Sequence, residues 1–153
     1  MRVRFIWVGK TKNELMCGLI DEYVKRLSRF TRCEITEVSA SKAREAGSGI
    51  EEESRRIIGA LRSDALKVLL DVGGREWSSP ELAAEIERWQ VGGTKEAIFI
   101  IGGQDGVSAE VVSRVDVRWS LSRLTLTHEM ARVVLLEQIY RAYTIIHGLP
   151  YQK

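Results

Sequence analysis

Small and hydroxyl-bearing residues follow two apolar segments in the last third of the chain. The glycine-rich stretch 102–106 (GGQDG) comes after residues 98–101, and the stretch 122–126 comes after residues 115–121. Glycine lets the main chain approach a flat ligand closely and adopt a positive φ. Ligands of open α/β sheets bind beyond the carboxyl ends of strands. The two stretches therefore predict a small-molecule site built largely from backbone groups.

Apolar side chains in the second loop favour a ligand over a simple turn. Residues 102–106 alone are equally compatible with a tight turn. Leu121, Leu124 and Leu126 lie in or beside the second loop, which is neither rich in glycine and proline nor fully polar. Apolar side chains in a loop need an apolar surface to cover, and a bound ligand would supply one.

Polar groups that could act on a substrate lie in and after the last predicted helix. His128 and Arg132 are one helical turn apart. His128 is either an ordinary first residue of the helix or a group that faces the substrate. Arg141 can pair with an acid or with a phosphate. Tyr151 follows in the tail, where a tyrosine can stack on a base or form a hydrogen bond through its hydroxyl.

Signatures of several other classes are absent or incomplete. Residues 69–74 (LLDVGG) resemble the first motif of the common methyltransferase class, but the chain after Asp71 is too short for the remaining units of that fold. The phosphate-binding patterns GxGxxG and GxxxxGK[ST] do not occur. Cys17 and Cys33 lack CxxC spacing and a histidine neighbour, so we expect free thiols and no metal site.

Strands that alternate with helices position these groups. Such alternation predicts an α/β fold, a single domain with a mainly parallel sheet and helices on both faces. An apolar stripe of residues spaced four apart, from Leu15 to Leu27, is expected on the first helix. The predicted strands are residues 2–8, 33–39, 66–71, 98–101 and 115–121, and the predicted helices are 14–30, 50–62, one that begins at a Ser78–Glu81 capping box, 108–114 and 128–147.

Composition indicates one globular domain over residues 1–153. Apolar residues make up 44% of the chain and charged residues 29%, with a net charge of +2. The chain is not strongly basic, so any RNA-binding charge must be gathered locally or across a dimer. The loop 40–49, with Lys42 and Arg44, is either a connector or an RNA contact. Without a signal peptide or a membrane-length apolar run, we expect a cytoplasmic location and no membrane association.

The last predicted helix is apolar on more than one face. Val133, Leu136, Ile139, Tyr140 and Tyr143 are spread around it. A helix that is apolar nearly all round is buried on both sides. In a chain of this size, dimerisation through the helix would achieve this, so the pattern predicts a homodimer.

Four motifs together resemble one known family. They are VRFIWVGKTK at the amino terminus, GGQDG, SLSRLTLTHEMARVVLLEQIYRAY, and the terminal HGLPYQK. The chain resembles the SPOUT-class ribosomal RNA large subunit methyltransferase H family over essentially its whole length. This resemblance implies a C-terminal trefoil knot, a homodimer, and methylation of N3 of a pseudouridine in 23S ribosomal RNA of the assembled ribosome. A non-catalytic ribosome-binding or RNA-binding module of the same fold is the alternative, and a nucleotide-binding hydrolase is disfavoured by its missing phosphate loop.

The resemblance also implies site residues. S-adenosylmethionine would lie in the knot, and a branched side chain at Gly103 is expected to obstruct it with the fold intact. Arg132, His128 and Tyr151 would act on the substrate, with Arg132 favouring the N3 anion. Thr127 and Gln152 replace a proline and a histidine that the family usually has, and glutamine cannot exchange a proton at neutral pH. The implied cofactor-binding residues are Leu70, Gly102, Gly103, Gly106, Leu121, Ser122, Arg123, Leu124, Thr125 and Leu126.

Overall fold

Strands and helices alternate along the whole of the computed structural model, which describes residues 1–42 and 47–151. Arg44 and Gln152 lie outside the described residues, so the expectations for them stay predictions. The elements are β1 (Arg2–Val8), α1 (Glu14–Leu27), β2 (Cys33–Val38), α2 (Ile50–Ala60), β3 (Leu66–Glu76), α3 (Ser79–Val91), β4 (Glu96–Ile101), α4 (Ala109–Arg114), β5 (Val117–Ser120) and α5 (His128–Ile146).

The strands form one parallel sheet in the order β2-β1-β4-β3-β5. Side chains alternate between its faces: Phe5 and Phe99 pack with α1, α3 and α5, whereas Ile6 and Ile100 pack with α2 and α4. β4 lies in the middle and is buried along its whole length. The predicted α/β class, with a parallel sheet covered on both faces, is confirmed. The trefoil knot stays a prediction.

Side-chain caps fix where four of the helices begin, and at α4 the cap is Ser108, which accepts from the N–H of Val111. Asn13 accepts hydrogen bonds from the N–H groups of Leu15 and Met16 at the start of α1. Ser78 and Glu81 form the predicted capping box at the start of α3. Thr127 accepts from the N–H of Met130 at the start of α5. These caps satisfy N–H groups that no helical carbonyl can reach, so the local sequence sets the helix starts.

β3 is longer than the sequence predicted. The predicted strand ended at residue 71, but β3 continues to Glu76 and pairs with β5 on both sides of an irregularity between Leu70 and Arg75. Gly74 makes this possible, because a Cβ there would lie 2.6 Å from the backbone carbon of Arg118. Gly74, which is part of the stretch that resembled a methyltransferase motif, therefore allows β3 to pack closely against β5.

α5 is covered on two sides within a single chain. Every residue of the helix is buried or half-buried, and α1 and α3 both pack against it. The homodimer therefore no longer follows from the two-sided apolar pattern. The apolar stripe predicted for α1 is packed only at its carboxyl end, since Leu15 is 78% exposed and Leu19 43% exposed. Within the described ranges, no helix is long and apolar enough to cross a membrane.

Candidate active site

The two predicted strand-end loops meet at one cleft of about 480 Å³, at the carboxyl edge of the sheet. This edge is where parallel sheets bind ligands, and the volume suits a small organic molecule. His128 at the start of α5 also lines the cleft. The predicted cofactor residues that line it are Leu70, Gly102, Gly103, Gly106, Leu121, Ser122, Leu124 and Leu126.

Two predicted cofactor residues lie in the same loop but outside the cleft lining. Arg123 points into solvent, with its side chain 89% exposed, and pairs with Glu76 at 3.3 Å. Thr125 is exposed. The loop itself is fixed by Ser122, whose hydroxyl accepts from the N–H of Leu124 and whose carbonyl accepts from Ser120 Oγ, each at 3.0 Å.

Two acidic residues, Asp71 and Asp105, lie on the cleft wall, and Asp71 is paired within the sheet. Asp71 Oδ2 accepts from Arg118 Nε at 2.8 Å and from its terminal nitrogen at 2.6 Å, and Oδ1 accepts from the N–H of Gly73. Burial raises the pKa of Asp71, but the hydrogen bonds from Gly73 and Arg118 outweigh it and hold that pKa below its usual value. The carboxylate therefore fixes β3 to β5 beside the leucine side chains of the cleft.

The loop 102–106 is a closed turn, and glycine is needed at its positions for different structural reasons. Gly103 and Gly106 form an antiparallel bridge, with the Gly106 N–H donating to the Gly103 carbonyl at 3.0 Å. Gly106 has a φ of +88°, and a Cβ at Gly102 would lie 2.7 Å from Val107 Cγ1. Closure of the turn requires both glycines, so the tight-turn interpretation is correct for them even though the turn also lines the cleft.

Gly103 contacts a residue that sequence reasoning did not identify. A Cβ at Gly103 would lie 2.0 Å from Glu53 Oε2, at the first turns of α2. Glu53 Oε1 accepts from the N–H of Ser41 at 2.8 Å. A side chain added at Gly103 would therefore displace Glu53 first. Obstruction of a cofactor does not follow from this contact.

Arg132 is buried beneath a second cavity and is held by the β1–α1 loop. Only 3% of it is exposed; it donates to Thr11 Oγ1 at 2.8 Å and to the carbonyl of Val8 at 2.6 Å, and it lies over the ring of Trp7. Burial lowers the pKa of this guanidinium. The predicted cation is thus present near the site, with its donors directed at the loop.

The second cavity is polar, has a volume of about 610 Å³ and adjoins the cleft. Gly103, Gln104, Asp105 and His128 line both, so they form a shared wall. Charged residues dominate the rest of the lining: Lys10, Lys12, Glu53, Glu129 and Arg132. Lys10 and Lys12, just after β1, were the sequence signal that could have indicated this cavity. Their proximity to the glycine turn could not be predicted, because it depends on β1 lying beside β4 in the sheet.

Glu129 holds the lysine loop from the other side. Its carboxylate accepts from the N–H groups of Lys12 at 2.6 Å and Asn13 at 3.2 Å. The hydrogen bond from Lys12 is the main reason that the pKa of Glu129 is lowered. Glu129 and Arg132, on consecutive turns at the start of α5, therefore hold Val8 and residues 11–13 at the rim of the polar cavity.

Tyr151 is not brought together with His128 and Arg132 in its own chain. Its hydroxyl lies 3.2 Å from Glu137 Oε1 and 3.4 Å from the Tyr23 hydroxyl, and its ring meets Tyr140. Burial is the main cause of its raised pKa. Glu137 is nine residues along α5 from His128, or about 13 Å at 1.5 Å per residue. Arg141 pairs with Glu137, the acid of the two alternatives considered for it.

No group of three or more His, Cys, Asp or Glu residues that could hold a metal occurs in residues 1–42 and 47–151. Cys17 and Cys33 are free and half-buried. Burial raises the pKa of the Cys33 thiol to about 11, which makes it a poor nucleophile at neutral pH.

Comparison with known proteins gives consistent similarities. A family model described as "Predicted SPOUT methyltransferase" matches residues 1–152. The chain is 42% identical to "Ribosomal RNA large subunit methyltransferase H" of Geotalea daltonii, covering 99% of each chain. It is 45% identical to a protein of Methanoregula boonei with the same name prefixed "Putative", covering 100% of each.

A solved structure gives a similarity of fold alone. It is a probable methylase family protein from Haemophilus influenzae Rd KW20, with a TM-score of 0.56 and 13% identity. The similarity covers 99% of this chain and 70% of that chain.

Proposed function

This chain belongs to the SPOUT methyltransferase family, and from that premise we propose that it methylates N3 of a pseudouridine in 23S ribosomal RNA of the assembled ribosome, with S-adenosylmethionine as methyl donor. The relatives' shared name, ribosomal RNA large subunit methyltransferase H, supports the RNA substrate. A protein that acts on ribosomes would work in the cytoplasm. No metal takes part in the proposed reaction.

The observation that supports the donor best is the cleft that the two strand-end loops share. The leucines on its wall fit the adenine ring and the carbons bonded to sulfur in S-adenosylmethionine. Exposed backbone groups of the glycine turn fit the polar edges of that molecule. Leu70, Leu121, Leu124 and Leu126 would cover the apolar parts, while Gly102, Gly103, Gly106 and Ser122 would supply backbone contacts. When bound, the donor supplies a methyl group on a positively charged sulfur.

The chain's own residues would position the target and favour its anion. N3 of a uracil-type ring is a weak acid that must lose its proton before or during attack. Arg132 lies buried under the polar cavity, where a positive charge stabilises a nearby anion more than it would in water. His128 lies on the wall between the two cavities, so it would contact both bound molecules. Holding both in one geometry supplies much of the rate.

A homodimer is part of the proposal, with support from exposed apolar surface rather than from α5. Leu15 and Leu19 project from α1, and a second copy would bury them. Tyr151 is remote from the cavities of its own chain, so a role in the reaction requires it to contact the RNA elsewhere or to reach the cavities of a second copy. Arg26 and Arg141 lie over the rings of Tyr23 and Tyr151 and are paired with Glu22 and Glu137, so RNA phosphate would have to compete with these carboxylates for them.

Calorimetry with S-adenosylmethionine tests the cleft assignment. We expect binding by the wild-type protein, and a Leu126→Gln variant should lose about 1.5–3 kcal/mol of apolar contact, which is about 10- to 100-fold in Kd. Leu149→Gln, which changes an exposed leucine outside the cleft, is the control. Ribosome binding without any S-adenosylmethionine binding would instead identify a non-catalytic RNA-binding module.

A further inference from the structure

The carboxylates that line the polar cavity accept hydrogen bonds from backbone N–H groups. Glu129 accepts from Lys12 and Asn13, and Asp105 Oδ2 accepts from Gly47 at 3.4 Å. Glu53 Oε1 accepts from Ser41. These bonds offset part of each negative charge and hold the cavity wall in one arrangement.

The two lysines at the rim of the polar cavity, unlike its acids, have charged groups without a protein partner among the described residues. Lys10 and Lys12 are exposed, and neither ammonium group forms a hydrogen bond or ion pair with the described part of the chain. Their backbone, however, is fixed: Arg132 holds Val8 and Thr11, and Glu129 holds Lys12. A rigid loop that presents two free ammonium groups at the mouth of a cavity is suited to an RNA phosphate.

Glu53 occupies the junction between the polar cavity and the cleft. Because Ser41 fixes Oε1, the other oxygen is directed at Gly103, on the wall that the two cavities share. Glu53 Oε2 has no hydrogen-bond partner within residues 1–42 and 47–151. A carboxylate oxygen without a donor, beside the site of the methyl donor, is suited to accept an N–H group from a bound ring.

We propose that the polar cavity receives the nucleotide to be methylated, with its phosphate on Lys10 and Lys12 and its ring N3–H on Glu53. This inference rests on the proposed function and names the target site and the proton acceptor within it. Glu53 takes the N3 proton, and the electron pair left on N3 forms the bond to the methyl carbon. The bond from that carbon to sulfur breaks, and its electrons stay on sulfur.

Replacing Glu53 by glutamine tests the proton acceptor. The amide keeps the shape and can still accept the N3–H hydrogen bond, but it cannot take the proton. We expect the single-turnover rate on ribosomes at pH 7 to fall by about 10²- to 10⁴-fold, while the Kd for S-adenosylmethionine changes less than threefold. Glu51→Gln is the matched control, because it removes an exposed carboxylate from the same first turn of α2.

The pH dependence separates proton transfer from a merely structural role. In Glu53→Gln, solvent must remove the N3 proton, so its rate should rise about tenfold per pH unit above pH 7, as expected for deprotonation by hydroxide. Lys10, Lys12, Asp105, His128, Glu129 and Arg132 share the cavity and are present in both proteins. A Glu53→Gln rate within threefold of the Glu51→Gln rate, or a loss that no pH relieves, would overturn the assignment of Glu53.

Neutralising the two lysines tests the phosphate contact. The double variant Lys10→Gln, Lys12→Gln should weaken ribosome binding at least tenfold and reduce the slope of log affinity against log salt by about two. The control, Lys25→Gln with Lys95→Gln, removes two exposed lysines at the opposite edge of the sheet. Equal affinities and slopes for the two double variants would overturn the placement of the phosphate.

The wild-type protein distinguishes failure of this inference from failure of the proposed function. If the wild-type protein neither binds S-adenosylmethionine nor methylates ribosomes, the proposed function fails and this inference falls with it. If the wild-type protein is active and the Glu53 and lysine variants match their controls, only the inference about the polar cavity is overturned.

Discussion

Four glycines near the cleft show that one residue type serves several physical purposes. Gly106 supplies a positive φ, and Gly102 lets the turn close against Val107. Gly74 lets β3 approach the backbone of β5, and Gly103 leaves room for Glu53. The sequence predicted ligand contacts at Gly102, Gly103 and Gly106, and it could not predict the contacts of Gly74 with Arg118 or of Gly103 with Glu53, which lie far along the chain.

Gly74→Ala should destabilise the protein strongly. The added Cβ would meet backbone atoms of Arg118 and Trp119 at 2.6–2.7 Å, and backbone cannot move aside as a flexible side chain can. We expect a loss of about 2 kcal/mol or more in the free energy of unfolding, measured by urea denaturation.

Gly18→Ala provides the comparison for this prediction. Gly18 lies inside α1 with nothing within 4 Å of an added Cβ, so alanine there should stabilise the protein by about 0.5–1 kcal/mol. A Gly74→Ala variant as stable as Gly18→Ala would show that β3 and β5 do not approach as closely as the structure has them.

The Asp71–Arg118 pair should make stability depend on acid pH. Because the folded protein lowers the pKa of Asp71, its carboxylate contributes stability that is full above the unfolded value of about 3.9 and is lost as pH falls through the lower folded value. The Tm gap between wild type and Asp71→Asn should therefore be constant from pH 7 to about pH 5 and shrink in more acidic solution. Asp64→Asn, in a weaker pair with Arg62, should show little gap throughout.

At the scale of elements, periodicity and capping residues predicted most of the fold, and long-range contacts supplied what they could not. Strand–helix alternation, the Ser78–Glu81 capping box and the strand-end loops were all recognisable. The hydrogen bond by which Glu129 fixes the β1–α1 loop could not be recognised, because Lys12 and Glu129 are 117 residues apart. The two-sided burial of α5 was predicted correctly and attributed to a dimer, because sequence periodicity cannot tell which neighbour covers a face.

The exposed end of α1 leads to a prediction about assembly. A homodimer that buries Leu15 and Leu19 should be weakened by Leu15→Gln with Leu19→Gln, because each change removes apolar contact from the interface. Sedimentation at micromolar concentration should show a dimer for the wild-type protein and a monomer for the variant, with similar Tm values. Val91→Gln, at an exposed valine on α3, should stay dimeric, and a monomeric wild-type protein would contradict the proposed assembly.

At the scale of the whole molecule, two adjoining cavities of opposite character occupy one edge of a single sheet. The apolar cleft and the polar cavity share residues 103–105 of the glycine turn and His128. Three elements that are distant in sequence (β1, β4 and α5) hold that arrangement. A net charge of +2 gives little general attraction to RNA. The attraction for RNA would have to come from cations at the rim of the polar cavity, including Lys10 and Lys12.

The most direct test of the proposed methyltransferase activity is mass mapping of 23S ribosomal RNA after the wild-type protein is incubated with S-adenosylmethionine and ribosomes that lack the modification. We expect one added methyl group on a single pseudouridine, at N3, and none when S-adenosylmethionine is omitted. Ribosomal RNA that stays unmodified at every pseudouridine, with a protein that is folded and ribosomes that are intact, would contradict it.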